Sequence, residues 1–210
     1  MAITVKICGF TEPSTVRVAA EAGVDWIGFN FAEKSPRRVR PSDMGRLLPE
    51  IGNADAIGLL VDPEDAQLEA VLATGLQHIQ LHGSETPERV ADIARHVSGE
   101  VWKAVGVETR QDLDQADAYA AADRLLIDAR PPKGDAQKGG HGIPFDWSII
   151  ENWQSPKPWV LAGGLAPGNV VEAVSRTQAT LVDVSSGVER ERGVKDAGLI
   201  REFIVTAKGI

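Results

Sequence analysis

Short runs of β-branched and aliphatic residues recur along this chain, each followed by a loop and then by a longer Ala- and charge-rich run with helical periodicity. The pattern predicts strands at Thr4–Cys8, Asp25–Asn30, Ala56–Val61, His78–Leu81, Val101–Val105, Arg124–Ile127, Pro158–Leu161 and Leu181–Val184. Helices are predicted over Glu12–Glu21, Pro41–Pro49, Pro63–Thr74, Pro87–Val97, Arg110–Ala122, Asp146–Asn152, Pro167–Ser175 and Asp196–Ala207. Thr11, Asp62, Thr86 and Thr109 stand where an N-cap is expected, and Pro63 at a first helical position. Strand and helix alternate at a spacing of about 25 residues.

Such alternation implies a parallel sheet with helical crossovers, and eight units predict closure into a single-domain (β/α)₈ TIM barrel over residues 1–210. An open doubly wound sheet is the alternative. It usually has fewer strands and a Gly-rich turn after the first, whereas here that turn reads Cys8-Gly9-Phe10-Thr11. In a barrel, chemistry belongs at the C-terminal strand ends and in the loops that follow them.

Composition narrows the class of function. The chain has 210 residues and a formal net charge of -8, which argues against nucleic-acid or membrane-surface partners, since both need a basic field. The one cysteine excludes an internal disulfide. The first residues do not read as a signal peptide and no apolar run approaches a membrane span. A cytoplasmic enzyme, active as a monomer, is the expectation.

The strand ends carry the candidate chemistry. Lys6 and Cys8 share one face of the first strand, while Ile3, Val5 and Ile7 share the other. A buried structural thiol is the common fate of a cysteine. A thiol at the active end of a barrel strand, with a cation below it to favour the thiolate, is the alternative. The loop after strand 2 holds Lys34, Arg37, Arg38 and Arg40. Arg38 and Arg40 read as solvated, whereas a cation over the barrel mouth would meet an anionic substrate, and an arginine can grip a carboxylate with two hydrogen bonds.

His82, after strand 4, is either an acid–base group or a rim histidine. Asp128 closes an apolar strand, so it is either paired or chemically active. The long loop from Ala129 to Phe145 includes Lys138-Gly139-Gly140-His141-Gly142 and reads as a lid-like loop over the site. Gly163-Gly164 after strand 7 and Ser185-Ser186-Gly187 after strand 8 occupy the positions where barrels bind phosphate on backbone N–H groups. Asp183 is expected to face inward and to pair with Lys6 or Lys103.

Taken together, several motifs resemble one family. They are Lys6-Ile7-Cys8-Gly9, Lys34-Ser35-Pro36-Arg37, Gln80-Leu81-His82-Gly83, Lys103-Ala104-Val105, Gly139-Gly140-x-Gly142 with Phe145-Asp146-Trp147, Gly163-Gly164-Leu165 with Pro167 and Asn169, and Asp183-Val184-Ser185-Ser186-Gly187-Val188-Glu189. The set is similar to phosphoribosylanthranilate isomerase of tryptophan biosynthesis, in order from the first strand to the eighth. Asn30 stands where that family usually has an apolar residue, Arg38 where an aromatic is common, and His141 to Pro144 differ from the usual continuation.

The resemblance implies an Amadori rearrangement of a small-molecule phosphoribosyl substrate, with no metal and no organic cofactor. By the same resemblance Cys8 is the general base, Asp128 the general acid and Arg37 the holder of the anthranilate carboxylate. His82, Gly140, Gly142, Gly163, Gly164, Asp183, Ser185, Ser186 and Gly187 are the further substrate-binding candidates, the strand 7 and 8 turns holding the phosphate. A protonated aspartate and an ionised cysteine are the minor forms of the free side chains at neutral pH, so both states need help from the site. Another phosphosugar isomerase or lyase on the same barrel, or a barrel that only binds a phosphorylated ligand, are the competing readings.

Overall fold

The computed structural model describes residues 2–129 and 146–210. Eight parallel strands close into a barrel in sequence order: β1 (Thr4–Cys8), β2 (Trp26–Asn30), β3 (Asp55–Leu60), β4 (His78–Leu81), β5 (Val101–Val107), β6 (Arg124–Ala129), β7 (Trp159–Ala162) and β8 (Leu181–Val184). Closure is made by β1 on β8, where Lys6 stands opposite Asp183.

Alternation along the strands sorts the apolar residues into two cores. Val5, Ile7, Ile27, Phe29, Leu125, Ile127, Val182 and Val184 point outward and join the layer beneath the helices. Inside the barrel lie Trp26, Ile57, Trp102, Ala104, Leu126, Val160, Ala162 and Leu181. Trp26 packs at once against Trp102, with ring centres 4.7 Å apart, and edge-on to His78 at 4.9 Å. Large rings of this kind fill the lower barrel, so it is a packed core and not a pore.

The crossovers are α1 (Pro13–Glu21), α2 (Met44–Leu47), α3 (Asp65–Leu72), α4 (Pro87–Ala94), α5 (Val170–Thr177) and α6 (Ala197–Lys208), with 3₁₀ turns between and beside them. Several helical expectations are corrected. Pro41–Pro49 is a short α-helix flanked by 3₁₀ turns, Pro41–Asp43 and Leu48–Glu50. Arg110–Ala118 winds as a 3₁₀ helix, with Thr109 at its cap and Asp112 completing a capping box. The stretch after Asp146 is a single 3₁₀ turn, Trp147–Ile149.

Two caps also move. Glu12, not Thr11, occupies the cap of α1, and its side chain makes no cap bond. α3 begins at Asp65 with Glu64 as cap, because Asp62 sits at φ 46° and its carboxylate instead accepts the Ser84 N–H at 2.7 Å. Thr86 caps α4 as expected, accepting the Arg89 N–H. No described helix is long and apolar enough to cross a membrane.

Candidate active site

All eight strands run parallel, so their C-terminal ends meet at one mouth. The inward positions there are Cys8, Asn30, His82, Asp128 and Ser185, above a polar layer of Lys6, Gln80 and Asp183.

Cys8 is 5% exposed. Gly28 on β2 makes room for it: a Cβ there would lie 2.8 Å from the thiol sulfur and 3.0 Å from the Cys8 Cα. Burial pushes the Cys8 pKa up, against the positive charges of Lys6, Lys195 and Arg37. Lys6 Nζ lies 2.9 Å from Asp183 Oδ1, so of the two partners expected for Asp183 the barrel brings Lys6. The contact is an ion pair off the hydrogen-bond line, since neither atom is in an aligned hydrogen bond. Burial works against the lysine charge, but the Asp183 and Cys8 charges outweigh it and leave the Lys6 pKa above its ordinary value. Burial also pushes Asp183 up, against the pull of Lys6. With the two atoms at 2.9 Å and Lys6 fully buried, the ionised pair is the state we assign.

Across the mouth, Gln80 Nε2 lies 2.9 Å from His82 Nδ1, and His82 Nε2 lies 3.3 Å from Asp128 Oδ2. The amide donates to one ring nitrogen, which leaves the ring proton on the other, facing Asp128. His82 therefore touches the candidate acid instead of standing alone on the rim. Gln80 was visible in the motif, but its contact with His82 follows only from their shared inward face.

The turns after β7 and β8 close the opposite side. Gly163 and Gly164 have φ of 87° and 66°, and Asn169 holds the turn by donating to the Gly164 carbonyl at 2.9 Å. Gly187 packs on the Leu165 carbonyl so closely that a Cβ would overlap it, which seats the Ser185-Ser186-Gly187 turn against the β7 turn. Ser185 Oγ donates to the Cys8 carbonyl at 3.0 Å. Asn30, in place of an apolar residue, accepts the Ala32 N–H at 2.9 Å and shapes the start of the β2 loop. Arg38 is exposed and pairs loosely with Glu33 at 3.4 Å. Gly140 and Gly142 lie outside the described residues, as does nearly all of the expected lid-like loop.

The sequence and the fold both have known counterparts. The family model described as N-(5'phosphoribosyl)anthranilate (PRA) isomerase matches residues 5–206. The chain belongs to the N-(5'-phosphoribosyl)anthranilate isomerase family. It is an isomerase of tryptophan biosynthesis, as the resemblance implied. The N-(5'-phosphoribosyl)anthranilate isomerase of Hyphomonas neptunium is 51% identical, over 97% of this chain and 96% of that protein. The Paracoccus denitrificans isomerase is 50% identical, over 99% and 98%. Among solved structures, phosphoribosyl anthranilate isomerase from Thermotoga maritima superposes with a TM-score of 0.89 at 37% identity, covering 99% of this chain and all of that one. A second isomerase structure, in complex with reduced 1-(o-carboxyphenylamino)-1-deoxyribulose 5-phosphate, gives a TM-score of 0.83 at 34% identity, covering 99% of this chain and 100% of that one.

One further cluster ties the β2 loop, and with it Arg37, to the chain after β8. Arg37 is gripped by Glu189, whose carboxylate also meets Lys195. Burial works against the Glu189 charge, but Arg37, Lys195 and the Gly193 N–H outweigh it and hold its pKa down at about 2. Lys195 is pulled below the ordinary lysine value by burial. Glu189 closes the strand 8 motif, but nothing in its spacing pointed to a partner 152 residues earlier.

Proposed function

We propose that this chain is a single catalytic barrel that converts N-(5-phosphoribosyl)anthranilate to 1-(2-carboxyphenylamino)-1-deoxyribulose 5-phosphate, with Asp128 as general acid and Cys8 as general base. The observation that carries the reading is the pair of inward groups at one mouth: a buried thiol with Lys6, Lys195 and Arg37 near it, and a carboxyl in contact with a histidine.

In this reading the protonated Asp128 gives its proton to the ribose ring oxygen as the bond from that oxygen to C1 breaks. An iminium forms between C1 and the anthranilate nitrogen. The His82 N–H directed at Oδ2 leaves Oδ1 to carry the acid proton. The iminium acidifies the C2 proton, which the Cys8 thiolate removes, and the electron pair of that bond closes the enolamine. The enolamine becomes the ketone by moving a proton from the C2 hydroxyl to C1, and exchange with solvent resets acid and base. Every step is a proton transfer or a heterolysis that proton transfer assists, so no cofactor is required.

Lys6 and Lys195 offset in part the burial and the Asp183 charge that oppose the thiolate, and the iminium adds a further positive charge when it forms. Arg37 holds the anthranilate carboxylate. Gly163, Gly164, Ser185, Ser186 and Gly187 hold the phosphate. Support for the phosphate site is the packed pair of turns after β7 and β8, where phosphate-binding barrels place theirs. A cytoplasmic monomer fits the acidic composition and the few large apolar side chains exposed among the described residues, Val61, Val171, Val205 and Ile210.

The test follows the fluorescence of phosphoribosylanthranilate. Cys8→Ala and Asp128→Asn should each lower turnover by at least about 10²-fold, while inorganic phosphate still protects the folded protein against heat. Full activity in Cys8→Ala would remove the base assignment, and full activity in Asp128→Asn the acid.

A further inference from the structure

Between β8 and α6 the chain makes a hairpin that an eight-fold repeat does not require, β9 (Glu189–Glu191) against β10 (Val194–Lys195). Two of its side chains turn inward, Glu189 at 4% exposure and Lys195 at 2%. The Glu189 carboxylate is fully occupied. Its Oε1 accepts from Arg37 Nε at 2.6 Å and Lys195 Nζ at 3.0 Å, and its Oε2 from Arg37 Nη2 at 2.8 Å and the Gly193 N–H at 3.0 Å. Lys195 also donates to the Ser185 carbonyl at 2.9 Å and reaches its hydroxyl at 3.3 Å. That hydroxyl donates to the Cys8 carbonyl. One hairpin thus holds the β2 loop, the β8 turn and the end of β1.

A guanidinium has two edges that can each meet a carboxylate side-on, one through Nε and one Nη, the other through both Nη atoms. Glu189 takes the Nε–Nη2 edge, and among the described residues Nη1 makes no hydrogen bond to the protein. The stem of Arg37 runs over Gly9, where a Cβ would stand 2.5 Å from its Cδ, so the side chain lies beside the Cys8 end of β1. Two cations against one carboxylate leave the cluster with one positive charge to offer a substrate.

We propose that Glu189 is a positioning residue and a determinant of specificity: it fixes Arg37 by one edge so that the other faces the carboxylate on the non-sugar half of the substrate. This rests on the reading of Arg37 as carboxylate holder. An arginine already locked has less freedom to lose when the substrate arrives, so the grip acts on binding more than on the chemical step.

The experiment measures kcat and KM for phosphoribosylanthranilate, and competitive inhibition by ribose 5-phosphate, which lacks the carboxylate. The proteins are the unaltered enzyme, Glu189→Gln, Glu189→Asp, Arg37→Ala and the double variant Arg37→Ala/Glu189→Gln. Glu189→Gln should raise KM by about tenfold or more with a much smaller change in kcat, and leave ribose 5-phosphate inhibition as it was. Glu189→Asp, which keeps the charge, should recover part of the loss and serves if the glutamine variant does not fold. On the Arg37→Ala background, Glu189→Gln should change KM no further. An unchanged KM in Glu189→Gln, an equal loss for ribose 5-phosphate, or the same further rise in the double variant would overturn the positioning role while leaving Arg37 as holder. If Arg37→Ala itself weakens both ligands equally, the holder assignment fails, and the positioning role with it.

Discussion

Of the buried lysine–carboxylate pairs, two lie on opposite sides of the barrel wall and are built differently. Lys103 points outward from β5. Its ammonium donates to Glu85 at 2.9 Å and to the Gly83 and Ala104 carbonyls at 2.8 and 3.0 Å, and stands over the Tyr119 ring. Glu85 in turn accepts the Asp62 and Gly83 N–H groups at 2.9 and 3.0 Å. Lys6 points inward from β1, meets Asp183 at 2.9 Å, and neither contacting atom is in an aligned hydrogen bond. A buried charge is tolerated when every polar partner is supplied. The outer pair meets that condition and ties three loops together. The inner pair does not, and it lies directly under the thiol. Its place under the thiol is what lets the Lys6 charge act on Cys8.

The contrast can be broken by removing one lysine at a time. Lys103→Met leaves Glu85 charged and buried with its other ties intact, so thermal or denaturant unfolding should show a loss of about 3–5 kcal/mol, with kcat little changed in the protein that remains folded. A loss under about 1 kcal/mol would mean that the outer pair is not what fastens the β4 loop. Lys6→Met should do the reverse. Asp183, already pushed up by burial, can take a proton when its partner is gone, so stability should fall less. Turnover should fall by about 10²-fold, because a cation beside the thiol is removed. Equal stability losses in the two variants would erase the distinction.

The smallest effect is in the pH profile, and it separates the pairs most cleanly. Burial raises the Cys8 pKa, so the thiolate fraction of the free enzyme grows with rising pH. The kcat/KM of the unaltered enzyme should therefore climb along a limb displaced above the ordinary thiol range. Lys6→Met should move that limb higher still, and Lys103→Met should leave it in place. Stability runs the other way. A group whose folded pKa is raised stabilises the fold below its unfolded pKa, and that contribution is lost as pH rises through the folded value. Glu189 has the opposite sign: its folded pKa is lowered to about 2, so its contribution is present above the ordinary glutamate value and is lost as pH falls towards about 2.

Much of the architecture was legible because barrel strands are short apolar runs with sharp ends. β1, β4 and β8 fall on the residues expected, Thr4–Cys8, His78–Leu81 and Leu181–Val184. Helices were placed less well, because caps answer to neighbours far away in the chain. Asp62 looked like a cap in front of Pro63, yet its carboxylate belongs to the next loop through Ser84. Arg110–Ala118 has helical periodicity but winds as 3₁₀, a difference of one residue per hydrogen bond that a hydrophobic pattern does not resolve. In the site, Cys8 and Asp128 were visible because a thiol and a carboxylate are out of character at the ends of apolar strands. Gln80 and Glu189 stood in the motifs, but their contacts were not visible, because a polar residue in a motif does not name its partner.

By itself the sequence determined the repeat, the inward face of each strand and the residues that reach the barrel mouth, since side-chain alternation follows from backbone geometry alone. It also carried the family, through motifs that run in order along the chain. Only the tertiary structure decided which charges meet. Lys6 and Lys103 were equal candidates for Asp183 until closure of β1 on β8 set Lys6 opposite it, and β5 turned Lys103 outward to Glu85. The partner of Arg37 waited on a hairpin 152 residues away. Electrostatic pairing falls off over a few ångströms in space and is indifferent to distance along the chain, so it is settled only when the barrel closes.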